Sequence, residues 1–190
     1  MITYMEGPSS SPPVHHVRGR ICPIRWQVMR DLTSEPSEIV AAERSRVARE
    51  GWGGELLNLQ ESDGRWDGGT YRPGWADESK SFFGAWTATH FSLQLLVDFG
   101  VDPRSPRVQE AIRRVADSVR WPAGDGLYFE GEVEPCINGI VVVIGAYFTQ
   151  PVDGIVDRLL GDQLPDGGWN CWAAFGATVS SFHTTICVLE

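Results

Sequence analysis

Two stretches of the chain carry apolar residues at strict helical spacing. In Ser105–Trp121, Val108, Ala111, Ile112, Val115, Ala116 and Val119 repeat at intervals of three and four, with Gln109, Glu110, Arg113, Arg114 and Asp117 between them. That pattern predicts a helix with one buried and one wet face. A second such helix is predicted to end at Gln163, with Val152, Ile155, Val156, Leu159 and Leu160 on the apolar face against Asp153, Asp157 and Arg158. Two other stretches are apolar or small around most of their circumference: Thr87–Gly100 and Cys136–Phe148. Such helices are expected to be largely buried, and Gly100 stands where a helix stop belongs. Upstream, Ser34-Glu-Pro-Ser-Glu38 is a helix start, with a Ser cap, an early Pro and acidic first-turn residues. This helix is expected to pause at Gly51-Trp-Gly-Gly54 before a short helical piece reaching Gln60. A last apolar helix opens at Ser180-Ser-Phe-His183-Thr184. Period-two strand signals are missing, so the fold class is all-α.

The turns between these helices repeat. Gln60-Glu-Ser-Asp63-Gly64-Arg-Trp66 and Gln163-Leu-Pro-Asp166-Gly-Gly-Trp169 share the frame Gln-x-x-Asp-Gly-x-Trp, and Asp125-Gly-Leu-Tyr128 is a degenerate third copy. Each turn leads through a loop into a buried helix and then into an amphipathic one. This is how a double ring is assembled, buried helices inside and half-exposed ones outside, and internal repetition at this scale governs the whole architecture.

Composition narrows the function. The 190 residues suit one core-bearing domain, with 42% apolar and 22% charged residues. We divide them into a disordered or loosely docked tail over 1–33, with Trp26 as its potential anchor, and a folded unit over 34–190. His15 and His16, adjacent in the Pro-rich part of that tail, read as solvated residues. The net charge of −9, with no run of Lys or Arg, argues against nucleic acid and anionic membrane surfaces as partners. The least charged stretch, between Pro135 and Pro151, is short of the ~20 apolar residues that a spanning helix needs. Met1–Pro13 has no apolar signal segment, so a cytoplasmic location is the expectation. Eight Trp residues point to aromatic packing or an aromatic-lined cavity. Four Cys without a Cys-x-x-Cys spacing read as free thiols or isolated ligands rather than a disulfide framework.

The Gln-x-x-Asp-Gly-x-Trp turns between paired helices resemble the QW-type repeats of squalene and oxidosqualene cyclases, whose ring is shared by the β subunits of protein prenyltransferases. The resemblance covers about 34–190. It implies an (α/α) toroid of helical hairpins whose central cavity handles an isoprenoid and is lined by aromatic side chains. Trp86, His90, Phe148 and Trp172 are the substrate-binding candidates that follow from it. The Asp-x-Asp-Asp acid of the cyclases is absent, which speaks against squalene cyclisation and leaves activity open between a terpene cyclase-like and a prenyltransferase-like enzyme. The prenyltransferases hold zinc with an Asp-x-Cys and a later His. By that resemblance Glu134, Cys136 and His183 form the metal set, with Glu134 in place of Asp, and Cys171 and His90 are the alternative ligands. Carboxylate, thiolate and imidazole are a sound zinc donor set with a position left open. The bland alternative is a Cys136 that merely packs and a His183 that caps its helix.

Two other classes stay in view. A non-catalytic helical repeat module would bind lipid or protein without turnover. An (α/α)-barrel glycoside hydrolase-like protein would need two opposed acids, for which Glu130, Glu132 and Glu134 are the candidates. No Gly-rich phosphate loop with a following Lys and no Gly-x-Ser-x-Gly elbow is present. The sequence stops at Glu190 within its last predicted helix, so the chain reads as about half of a six-pair ring. An open half-ring would expose apolar inner faces and is expected to self-associate through them.

Overall fold

A computed structural model describes residues 22–76 and 86–190. Among the described residues the chain is all-α, with helices α1 (Cys22–Leu32), α2 (Ser37–Arg46), α3 (Gly51–Asn58), α4 (Thr89–Asp98), α5 (Pro106–Ser118), α6 (Pro135–Tyr147), α7 (Asp153–Gly161) and α8 (Phe182–Leu189). Isolated bridges Trp66–Gly69 and Arg120–Leu127 are the only extended pairings among them. Among the described residues, no helix is long and apolar enough to cross a membrane.

Neighbouring helices α3 and α4, α4 and α6, and α6 and α8 lie side by side, and α7 packs on α6. The α6–α8 contact is backbone to backbone. A Cβ at Gly139 of α6 would stand 2.2 Å from the Cys187 carbonyl oxygen of α8, so glycine alone fits. Helix α5 is tied to α3 through Arg107, whose guanidinium donates to the Ala48 and Gly54 carbonyls at 3.0 and 3.2 Å. Its buried face is Val108, Ala111, Ile112 and Val115, with Val119 buried just beyond, the stripe that the spacing predicts.

The two Gln-x-x-Asp-Gly-x-Trp turns are built alike. Trp66 and Trp169 each donate an indole N–H to the end of the preceding helix, at Leu56 O (2.7 Å) and Leu159 O (2.6 Å). Their backbone N–H groups donate to Thr89 and Thr185 Oγ1 at 3.1 and 3.0 Å. Gln60 and Gln163 close the turns on Gly64 O (3.1 Å) and Gly167 O (2.8 Å). Gln60 also donates to Ala111 O of α5 at 2.9 Å. Each turn thus adds an indole donor near a helix end, where intrahelical donors run out, and clamps the start of the next helix in the row.

Three expectations change. The tail over 1–33 divides: residues 1–21 lie outside the described residues, whereas Cys22–Leu32 form α1 against α2 and α3. Trp26 is the reason. Its buried indole donates to Phe99 O at 3.0 Å, with the Arg44 and Arg30 guanidiniums at 4.9 and 4.8 Å from the ring. Gly51-Trp-Gly-Gly54 is the first turn of α3 rather than a pause. Side chains there would strike the α2 corner, since a Cβ at Gly53 would lie 2.4 Å from Val47 O. On α7 only Ile155 and Leu159 are buried. Val156 and Leu160 are exposed because α6 covers a narrower stripe than the spacing implied. Residues 77–85 of the long Gly- and Trp-rich loop are outside the described residues.

These contacts predict a stability contrast. Trp66→Phe keeps most of the buried area but removes the indole donor from the Leu56 carbonyl, which retains only the Leu59 N–H at 3.1 Å, and should cost about 0.5–1.5 kcal/mol. Leu160→Ala, at a side chain 65% exposed, should stay within about 0.5 kcal/mol. Urea denaturation of both variants checks the pair.

Candidate metal centre and aromatic wall

The segment entering α6 is pinned before it delivers any ligand. Gly131 turns the chain at φ +89°, where a Cβ would strike Asn138 Oδ1. Asn138, in the first turn of α6, then holds Glu132 from both sides, accepting from its N–H and donating to its carbonyl, each at 2.7 Å. Arg158 of α7 adds a bond to the same carbonyl at 2.9 Å. Pro135 presets the helical φ at the start of α6. Glu134 and Cys136 are thereby fixed on either side of it, with Cys136 Sγ 3.7 Å from Glu134 Oε2.

The third ligand comes from the turn after α7. Trp169 is anchored as described, and Asn170 spans the following loop by donating to Val179 O at 2.9 Å. Cys171 is set against the start of α8, where its N–H donates to the buried Thr184 Oγ1 at 3.4 Å and that hydroxyl lies 3.5 Å from its sulfur. The result is a close pair of sulfurs, Cys171 Sγ and Cys136 Sγ, 3.0 Å apart. One ligand atom each from Glu134, Cys136 and Cys171 lies within 4.8 Å of both others, so the group could hold a metal ion.

A cation there would have to displace thiol protons. Burial raises the Cys136 thiol pKa first, and Cys171, Glu134 and Cys187 push it further in the same direction. Burial, then Glu190 and Cys171, also raises that of Cys187. Several groups that would be anionic share a half-buried space, and a bound cation is what would let their charged forms coexist.

Of the residues expected to bind metal, Glu134 and Cys136 meet, and Cys171, the alternative, completes the set. His183 is exposed and is not in the group. Thr184 is the residue at the start of α8 that turns inward to Cys171, and His183 precedes it by one position, on another face of the helix. His90 is no ligand here either. It is 1% exposed, with Nδ1 3.0 Å from the Tyr128 hydroxyl and Nε2 unbonded within the described structure.

An aromatic wall adjoins the cluster through Tyr71, which spacing did not single out. Burial and then the neighbouring Cys136, Glu134, Cys187 and Cys171 push its phenol pKa up to about 12. Its ring lies 5.3 Å from His90 and 5.1 Å from Phe91, and Phe91 lies 4.8 Å from Trp86. His90 continues the series to Trp121 at 5.9 Å and Tyr128 at 6.2 Å. Of the four substrate-binding candidates, His90 sits in the wall, Trp86 lies half-exposed at its edge, and Trp172 follows Cys171, exposed and 5.6 Å from Phe175. Phe148 does not join them. It is buried just past the far end of α6, some 18 Å along the helix axis from Cys136 at ~1.5 Å per residue. Two of the three acids are committed to backbone: Glu132 Oε2 accepts from Glu134 N–H at 2.6 Å and Glu130 Oε2 from Leu127 N–H at 2.7 Å, while Glu134 belongs to the metal-competent group. Clefts of about 600 and 440 Å³ lie beside α5 and α7 rather than at the cluster.

Comparison with protein-family models, with curated proteins and with solved structures gives no match to this chain.

Burial lowers the His90 pKa from an ordinary 6.5 to about 4. Between those values the unfolded chain binds the proton and the folded chain does not, so stability is complete above pH 6.5 and falls as pH drops toward 4. At ~1.4 kcal/mol per unit the loss reaches about 3 kcal/mol. His90→Phe should lose that much less between pH 7 and pH 4 in urea titrations, the carboxylates acting equally in both proteins.

Proposed function

We propose that this chain is a squalene cyclase/prenyltransferase-like protein, part of an (α/α) toroid, that binds an isoprenoid against the aromatic wall beside a zinc ion held by Glu134, Cys136 and Cys171. The observation that supports this reading is the contiguity of two features. A thiol-rich metal-competent group and a run of aromatic rings meet at Tyr71, close to where α4, α6 and α8 begin. The donors suit zinc: two soft thiolates and one carboxylate match its ligand preferences and leave a fourth position open. Zinc in such a site supplies Lewis acidity toward a substrate oxygen or sulfur. The chain's own contribution is the positioning of the ligands by Asn138 and Trp169 and an apolar surface alongside them.

A second reading, a non-catalytic repeat module that binds lipid or protein, is favoured by one observation. Phe182, Ile186 and Leu189 form an exposed stripe on α8, and Trp172, Phe175 and Val179 in the loop before it are exposed too. Such a patch marks an interaction surface.

Metal analysis tests the zinc assignment. Wild type should retain about one zinc per chain, Cys136→Ala and Cys171→Ala should lose it, and His183→Ala should keep it. Because binding releases thiol protons and the Cys136 pKa is raised, zinc affinity should climb steeply from pH 6 to pH 9. Equal zinc in all four proteins would sink the assignment. For the isoprenoid, farnesol should quench tryptophan fluorescence saturably, and Tyr71→Ala should weaken its binding about tenfold, roughly 1.4 kcal/mol. Unsaturable quenching would count against the site. Bound farnesol with no turnover of any prenyl donor, and Phe182→Asp converting an oligomer to a monomer, would favour the module.

A further inference from the structure

We propose that Cys136 and Cys171 are a redox pair that closes to a disulfide, and that the disulfide and a metal ion compete for the same two sulfurs. The pairing is built by elements far apart in sequence: Cys136 on the first turn of α6 and Cys171 on the loop after Trp169. Their sulfurs nonetheless stand 3.0 Å apart. Both thiols are free and half-buried, reachable by a small oxidant. Cys187 is free and half-buried as well, but it is not within ligand reach of the whole Glu134–Cys136–Cys171 group. The choice of partner is therefore set by position.

The oxidant class is a peroxide. One thiolate attacks a peroxide oxygen, the O–O bond breaks, and hydroxide leaves and takes up a proton, so that the sulfur becomes a sulfenic acid. The second thiolate then attacks that sulfur, the S–S bond forms, the S–O bond breaks, and a second water leaves. In sum, two thiols and one hydrogen peroxide give one disulfide and two waters. A dithiol reductant reverses the step. Only thiolates bind a metal strongly, so closing the disulfide removes two of the three donors and leaves Glu134, which alone does not retain the ion. A bound metal should in turn shield both sulfurs from peroxide. The disulfide itself stands on the sulfur pair alone, whereas the competition rests on the zinc reading.

The full chain, reduced and then loaded with zinc or left free, is treated with hydrogen peroxide. Free thiols are titrated, zinc release is followed with a chromogenic chelator, and non-reduced peptides are mapped by mass spectrometry. Of the four thiols in the chain, two should be lost and regained with dithiothreitol. A Cys136–Cys171 cross-linked peptide should appear, and zinc should be released in step with it. Zinc-loaded protein should oxidise at least tenfold more slowly than zinc-free protein. Cys187→Ser should behave as wild type, while Cys136→Ser and Cys171→Ser should each form no internal cross-link. Retention of all four thiols, or a dominant link through Cys187 or Cys22, would overturn the pair. Zinc that binds without any disulfide forming defeats this proposal and spares the metal reading. A disulfide that forms in a protein without zinc affinity upholds the pair and defeats that reading.

Discussion

The indole clamp is the interaction on which the arrangement depends. A helix that ends without a partner for its last carbonyls must find one in solvent, in a cap or in a neighbouring side chain. Here a tryptophan ten residues beyond the carbonyl adds its indole N–H, so the chain folds back over the end of the helix it has just left. The same tryptophan's backbone N–H then reaches a threonine near the start of the next helix in the row, Thr89 or Thr185. One residue thus fixes both the exit of one helix and the entry of another. The third turn is tied differently: Trp121, just past α5, donates forward to Tyr128 O at 2.9 Å, and Asn138 at the start of α6 grips Glu132 from both sides.

That geometry explains why candidate ligands gather where they do. Clamping the turns to helix starts brings the residues that flank each turn to the N-terminal ends of neighbouring helices, where Cys136 and Cys171 meet. A helix N-terminus favours an anion, by ~0.3–1 kcal/mol. At Cys136 that help is outweighed, because burial and the neighbouring Cys171, Glu134 and Cys187 raise its pKa. The fold therefore assembles potential anions more closely than the helix start alone can stabilise. A cation or a covalent S–S bond each removes that repulsion, by compensating the charge or by abolishing it.

Much of this was legible in the sequence, and the part that was not has physical causes. The spacing of Val108 through Val119 identified α5, and the repeated Gln-x-x-Asp-Gly-x-Trp frame identified turns that do the same work. Gly51–Gly54 misled, because glycines placed to admit a tight helix corner look like a break when the corner is unseen. Trp26 drew its segment into a helix because an indole with a carbonyl partner and two flanking guanidiniums outweighs weak local periodicity. In the cluster, Glu134 and Cys136 were picked out by their resemblance to the Asp-x-Cys of the prenyltransferases. The choice between His183 and Cys171 was not, since it turns on which face of α8 points inward, a matter of packing rather than of residue type. Tyr71 sits in an irregular loop, where no period marks which side chains face the site.

The residue that decides that packing has no chemistry of its own. Gly139 lets α6 and α8 approach until backbone meets backbone, with only 2.2 Å from its missing Cβ to Cys187 O. At that separation Thr184 can reach Cys171, and Cys187 comes near enough to act on the charge of Cys136. Any larger side chain at position 139 would push α8 outward until the Cys187 carbonyl clears it, and carry Thr184 with it. Cys171 is held partly by that threonine, so the sulfur pair would open without either cysteine being touched. The donor set is therefore defined as much by a contact between two helices as by the donors.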